Sequence, residues 1–356
     1  MAAQLTPAVL GYTPPDPPIE EFTPPRDRAF FADPKKSALF EGATAVEEVT
    51  PYIGTELKGL QLSKLSDAQK DELALLVAER GVVFLRNQDI TLEQQHALAD
   101  YYGVQDKDPI QENPKHVTVV GREGNIRGHD FFGADYHGDH SHEINPPSYT
   151  LLRMIRTPPS GGDTIYTSQT ALFDKLSPRF QKMFEGLHAT HQSELSYMNA
   201  INHGARPHRA PVATAHPLVR THPVTKLKSL NYNPTFISRI NELNAEESNH
   251  ILLFLREHLH SADDLTVRWR WTPGAIAFWD NRIVVHRAVP GGYDTTLREG
   301  KRICVFGERP FFDAEGSESL SERKARLAGE GTNGTNGVKV NGTNGSATNG
   351  EKGHMS

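Results

Sequence analysis

The chain has 356 residues, 37% of them hydrophobic and 23% charged, with a net charge of -6. A sizeable core can be buried, and no block of Lys or Arg offers a surface for nucleic acid or an anionic membrane. The single cysteine, Cys304, excludes an internal disulfide and a thiolate metal cluster, whereas seventeen histidines suit a metal held by nitrogen and oxygen.

The first residues carry no basic, apolar leader, and no run approaches the roughly 18 apolar residues of a membrane span. A cytoplasmic protein is therefore expected. Residues 1–45 hold Pro14, Pro15, Pro17, Pro18, Pro24 and Pro25 and read as an extended arm, laid on the surface or partly mobile. Ser66 with Gln69 predicts a capping box opening a helix that ends at Gly81, and Val82-Val83-Phe84-Leu85 predicts a buried strand. Thr91 with Gln94 opens a second helix running to about Tyr102. Further along, strands are expected over 149–155, 267–271, 275–279 and 283–285. Ser177-Pro178 opens one intervening helix, and residues 244–260 form another. Helices cluster early and short strands dominate from 149 to 310. The fold class is therefore an all-β core with flanking helices, a sandwich or jelly roll. The globular domain spans 46–312. Residues 313–356 form a polar tail, which from Gly329 on is too rich in Gly, Asn and Thr to offset chain entropy and is expected to be disordered. The Asn-Gly-Thr and Asn-Gly-Ser triplets at Asn333, Asn341 and Asn344 match glycosylation sequons but read as accidents of composition.

The densest chemical signal is Tyr136-His137-Gly138-Asp139-His140-Ser141-His142. On an extended segment His137 and Asp139 project to one side, so an imidazole nitrogen and a carboxylate can occupy adjacent corners of one metal. His-x-Asp alone is common by chance and needs a third ligand. His286, at the end of the predicted core strand 283–285, is the best candidate. Two His and one carboxylate on one face leave three positions open, which suits Fe(II) binding a bidentate cosubstrate and O₂ together. His142 shares the alternation phase of His137 and Asp139 and is a candidate behind the ligands or in the pocket; His140 is a pocket candidate. Arg298 and Arg302 follow His286, and a guanidinium fork suits the distal carboxylate of a dicarboxylate cosubstrate. Thr164, in Gly161-Gly162-Asp163-Thr164, could add a hydroxyl.

At these residues the chain resembles the taurine dioxygenase (TauD/TfdA-like) family of Fe(II)/2-oxoglutarate oxygenases, over roughly 50–312. The matched blocks are Glu79 to Arg86, His137-Gly138-Asp139, Gly161 to Thr164, His216 to Pro223, Trp269-Arg270-Trp271, Phe278-Trp279-Asp280-Asn281-Arg282, His286 and the segment 298–310. The resemblance implies a double-stranded β-helix, cupin-like, and self-association of the kind common in the family. It implies His137, Asp139 and His286 as iron ligands, Thr164 and Arg298 gripping 2-oxoglutarate, and O₂ as oxidant. It places Arg302 where the family clamps the substrate's anionic group. Two positions depart. Asp106 falls where taurine dioxygenase has a histidine that helps hold the sulfonate, and Tyr136 replaces the usual tryptophan before the first ligand. A carboxylate repels a sulfonate but holds an ammonium group, so Asp106, His140, Tyr136 and Arg302 are expected to bind a small anionic substrate, an amino acid among them, in a biosynthetic step. The alternatives are a sulfonate or sulfate-ester dioxygenase and a non-catalytic jelly-roll binding protein.

Overall fold

The computed structural model describes residues 3–4, 14–110, 116–120 and 135–333. The chain divides into two compact units, Met1–Leu320 and Ser321–Ser356.

The elements that position the site are, in chain order, β1 (Ala45–Glu48), β2 (Thr55–Lys58), α1 (Asp67–Arg80), β3 (Val82–Leu85), α2 (Leu92–Tyr102), β4 (Val117–Val120), β5 (Pro147–Arg156), β6 (Thr164–Ser168), α3 (Ala245–His260), β7 (Thr266–Trp269), β8 (Ile276–Asp280), β9 (Val284–Ala288) and β10 (Glu299–Phe306). The helix starts follow the sequence. Ser66 and Thr91 each accept from the backbone N–H three residues on, while Gln69 and Gln94 reach back to close the box, and Asn244 with Glu247 does the same for α3. Gly81 ends α1 at φ 74°, and a Cβ there would lie 2.8 Å from Val284, so both conformation and space demand glycine.

Among the described residues, seven strands make the larger sheet in the order β1-β2-β3-β8-β5-β10-β4. Strand β8 lies at its centre, antiparallel to both β3 and β5, with Trp279 opposite Val82 on one side and Thr150 on the other. A three-stranded sheet, β7-β6-β9, faces it, with His286 opposite Tyr166 and Ala288 opposite Thr164. Strands His188–Gln192, Val212–Pro217 and Ile237–Ile240 form a further antiparallel set, joined by the backbone of Ala3–Gln4. This is a jelly roll. Helices α1 and α2 pack Leu73, Leu76, Val77 and Leu98 on the outer face of the larger sheet, against Val83, Leu85 and Phe278. Between the sheets, Phe84, Tyr166, Trp269, Trp279 and Val284 form the inner core. Each large side chain fully buried here contributes about 1.5–3 kcal/mol.

Two segments differ from the sequence expectation. The arm's described part belongs to the first unit and is tied down by polar anchors that proline content does not reveal. Phe22 exchanges hydrogen bonds with Asn145, Arg28 pairs with Asp71 at 2.7 Å, and Asp27 accepts from the buried Tyr149 hydroxyl and from Arg282 Nη1, both at 2.8 Å. In the tail, Leu320–Asn333 is a helix, because Ser321 to Ala328 contributes Glu, Arg, Lys, Ala and Leu, all strong helix formers apart from the serine. Asn341, Asn344 and everything from 334 on lie outside the described residues. No helix among the described residues is long and apolar enough to cross a membrane.

Arg282 is only 2% exposed and is shared by Asp280 and Asp27, with Glu308 at 3.5 Å. Removing one partner of a buried pair is costly because it strands the other charge. Asp27→Ala should lower the unfolding free energy by about 3 kcal/mol in urea denaturation; a change under about 0.5 kcal/mol would show that the arm is not a structural part of the domain.

Candidate active site

Three side chains from two different elements meet at the mouth of the jelly roll. His286 stands on β9, and the loop carrying His137 and Asp139 is stapled to it by reciprocal backbone bonds. His137 N–H donates to His286 O at 2.9 Å, and His286 N–H donates to His137 O at 2.8 Å. Their ring centroids lie 4.4 Å apart, and one donor atom from each of His137, Asp139 and His286 falls within 4.8 Å of the other two. The set is two imidazoles and one carboxylate, close enough to share one ion and of the composition that non-haem Fe(II) favours. His137 Nδ1 meets the Asp135 carbonyl at 3.1 Å, which puts the proton on Nδ1 and the lone pair on Nε2. Asp135 is itself anchored to α3 by Arg256 at 2.7 Å and His260 at 2.8 Å.

Asp139 is held from three sides. Thr150 on β5 donates to Oδ2 at 2.8 Å, and Arg302 on β10 donates to Oδ1 at 2.5 Å. Asn281, in the turn after β8, accepts from the Asp139 backbone N–H at 3.1 Å and from Trp279 Nε1 at 3.0 Å, while its amide donates to Thr150 Oγ1 at 2.8 Å. Burial alone would push the Asp139 carboxyl up. Arg302 and the rings of His286 and His137 outweigh it and hold the group below the ordinary carboxylate range, so it stays an anionic donor.

Beside the triad lies a cavity of about 310 Å³ lined by His137, His286, Thr164, Arg298, Arg302 and Asp108 among others. Arg298 is 2% exposed, yet its guanidinium is fixed by three neutral oxygens: Gly162 O at 2.9 Å, Val120 O at 3.3 Å and Thr164 Oγ1 at 3.5 Å. A buried cation held by neutral acceptors is suited to receiving a carboxylate. The Thr164 hydroxyl also accepts from Trp271 Nε1 at 2.9 Å and keeps its own proton to donate. The pocket thus fits a dicarboxylate keto acid whose far end meets Arg298 and Thr164 while its near end reaches the triad.

The other residues named from the sequence lie elsewhere. Asp106 does not line this cavity; one of its carboxylate oxygens is taken by His140 Nδ1 and the other lies 3.6 Å from Arg209. Asp108, two residues on, does line it and stands 3.9 Å from Arg302 and 3.4 Å from His140. His140 sits in the left-handed region at φ 41°, so the strand alternation extrapolated from His137 and Asp139 stops there. That turn sends His140 and His142 toward a neighbouring pocket rather than the metal. Burial pulls the His140 pKa down, but Asp106 and Asp108 together push it up to about 10, so the ring is charged and faces both carboxylates. Tyr136 is buried with Arg287 over its ring and His260 at its edge, outside the cavity lining. Thr150, Asn281 and Asp108 were not singled out as site residues. Only Asn281 left a signal, its place in Trp279-Asp280-Asn281-Arg282.

A jelly roll carrying two histidines and one carboxylate at its mouth, beside a buried arginine, defines the class of non-haem iron oxygenases. The family described as taurine catabolism dioxygenase TauD, TfdA matches residues 45–304, and the chain belongs to that family. It is 38% identical over 309 residues to the alpha-ketoglutarate-dependent sulfonate dioxygenase of Saccharomyces cerevisiae, covering 82% of this chain and 75% of that protein. It is 38% identical over 271 residues to the alpha-ketoglutarate-dependent dioxygenase cnsM of Penicillium expansum, covering 72% and 76%. The crystal structure of a taurine dioxygenase from Burkholderia xenovorans superposes with a TM-score of 0.64 at 29% identity, covering 77% of this chain and 94% of that one. The protein is therefore an enzyme, a dioxygenase dependent on 2-oxoglutarate (alpha-ketoglutarate) and O₂.

Residues that orient a ligand typically change metal affinity 10–100-fold when removed. Asn281→Ala should weaken Mn(II) binding by about tenfold or more in calorimetric titration, with Thr150→Val following it. Unchanged affinity in both variants would mean that Asp139 needs neither contact.

Proposed function

We propose that this enzyme oxidises an unactivated C–H bond of a small anionic molecule, with Fe(II) held by His137, Asp139 and His286. The observation that carries the reading is the pairing of that triad with two differently held arginines in one cavity. Arg298, with Thr164, grips the distal carboxylate of 2-oxoglutarate. Arg302, on β10, meets the acidic group of the substrate. Bound Fe(II) and 2-oxoglutarate supply the activation of O₂; the chain's own residues decide which C–H bond faces it. His137 and His286 present ring nitrogens, Asp139 stays ionised, and the apolar side chains Leu152, Trp279 and Ala288 line the same cavity and limit water there.

Asp108 refines the substrate class. Its carboxylate faces the cavity 3.9 Å from Arg302, an arrangement that suits a molecule carrying an acidic and an ammonium group, as amino acids do. One observation favours a second reading. Asp106, whose charge would repel a sulfonate, is engaged by His140 and Arg209 behind the wall, and two of the relatives at 38% identity are named as sulfonate dioxygenases. In either case the enzyme acts in the cytoplasm on a small molecule, in a biosynthetic step for an amino acid or in sulfur release for a sulfonate.

Succinate formation measured across amino acids, sulfonates and aryloxy acids tests both. Substrate-dependent succinate with an amino acid and without sulfite supports the first reading; sulfite release supports the second. Arg302→Met should lower kcat/KM for the accepted substrate by about 10²–10³-fold, the loss expected from one partner of a buried charge pair. Arg298→Met should instead raise the KM for 2-oxoglutarate. No member of the panel raising succinate above background would refute the small-anion reading.

A further inference from the structure

A second pocket of about 80 Å³ adjoins the iron cavity. Ile110 lines both, and where His140 borders the second pocket, Asp108 borders the first, with 3.4 Å between their polar atoms. The two spaces thus adjoin at Ile110 and at the His140–Asp108 pair. Pro211, Val212 and Phe236 give the second pocket an apolar wall, and Ser196, on the helix Glu194–Asn202, closes one side.

Two buried polar side chains line this pocket with atoms that lack a partner among the described residues. Arg209 is 7% exposed, and its Nη1 donates to none of them; His142 is 3% exposed, and its Nδ1 is likewise unpaired among them. An unsatisfied buried polar atom costs about 1–3 kcal/mol, and a charged donor costs more. The charge of Arg209, by contrast, is already matched. Its Nη2 lies 3.0 Å from Glu143 and 3.6 Å from Asp106, and donates to Lys107 O at 2.9 Å. Around the pocket each cation already faces a carboxylate: Arg209 meets Glu143 and Asp106, and the His140 ring meets Asp106 and Asp108. A bound anion would therefore find no positive charge left without a partner. The requirement at Arg209 Nη1 is an oxygen lone pair without a charge, on an apolar body small enough to sit against Phe236 and Val212.

The geometry points to this pocket as a subsite for an uncharged, oxygen-bearing group of the carbonyl or amide class, carried at the end of the substrate remote from the oxidised C–H bond. The assignment of that group to the substrate rests on the proposed function of the iron cavity; the pocket's preference for the group does not. Arg209 Nη1 donates to the carbonyl oxygen, and His142, kept neutral by burial, offers its Nδ1 as the second polar contact. The chain thereby selects substrates with one acidic group near Arg302 and one neutral acceptor beyond Asp108.

The probe is N-methylacetamide, compared with propionate, titrated by ligand-observed NMR into the full chain loaded with Mn(II). N-oxalylglycine serves as the control ligand of the iron cavity. Saturable binding of N-methylacetamide in preference to propionate is expected. Ser196→Trp, which fills the pocket without removing a charge, should weaken it at least about tenfold and leave N-oxalylglycine binding unchanged. Ser196→Phe provides a second plug should the tryptophan variant misfold. In turnover, the plugged enzyme should lose kcat/KM for amino acids bearing a side-chain carboxamide at least about tenfold relative to those without one. Absence of saturable N-methylacetamide binding, preference for propionate, or binding indifferent to both plugs would overturn the subsite. Retained probe binding with equal turnover losses for all substrates would overturn its link to the substrate. Loss of N-oxalylglycine binding by the wild-type chain would sink the iron-cavity reading while leaving the probe result to stand by itself.

Discussion

Two backbone hydrogen bonds between His137 and His286 fix a loop residue to a strand residue 149 positions later, and the candidate metal site follows from that contact. Once His137 is registered against β9, Asp139 two residues on falls under β5 and β10, where Thr150 and Arg302 capture its two oxygens. The remaining freedom of Asp139 is removed through its backbone by Asn281. Ligand geometry at such a centre must be held to a fraction of an ångström, and residues on a scaffold of paired strands achieve that better than a loop alone. Here the loop borrows the rigidity of both sheets.

The buried arginines divide by the company they keep. Arg282 is surrounded by carboxylates, with Asp280 making a fork and Asp27 reaching in from the arm, so its charge is spent within the fold. Arg298 is held by oxygens that carry no charge, and so its own charge is available to a ligand. Arg220, also buried, resembles Arg282, with Glu308 at 2.5 Å. The same side chain at similar burial is thus structural in one case and suited to recognition in the other, and the partner's charge makes the difference. Asp280 ties the two networks together. It accepts from Arg282 and from His222 immediately before Asn281, so the turn that orients Asp139 rests on a fully paired ionic base.

Much of this was legible in the sequence, for identifiable reasons. Capping boxes at Ser66 and Thr91 act within four residues, so those helix starts can be located without tertiary information. His137, Asp139, His286, Thr164 and Arg298 could be named because their residue types match the chemistry and their blocks match a family. Thr150 could not, since a threonine in a strand is ordinary until its hydroxyl is seen facing Asp139. The choice of Asp106 over Asp108 failed to find the cavity-lining carboxylate because the two alternate along an irregular segment whose direction only the fold sets. Continued strand alternation would put His142 on one face with Asp139, and the left-handed turn at His140 ends that alternation. The arm's proline content predicted an extended backbone and could not reveal the helical turns at Arg28–Phe31 and Ser37–Gly42, nor that Asp27 would reach a buried arginine 255 residues away.

The convergence of His137, Asp139 and His286 on a single ferrous ion is tested most directly by anomalous diffraction at the iron edge from crystals grown anaerobically with Fe(II) and 2-oxoglutarate. One peak in coordination contact with all three side chains, lost when His286 is replaced by alanine, is the expected result. A peak centred on His140 and His142, or one that survives the His286 substitution unchanged, would contradict the site.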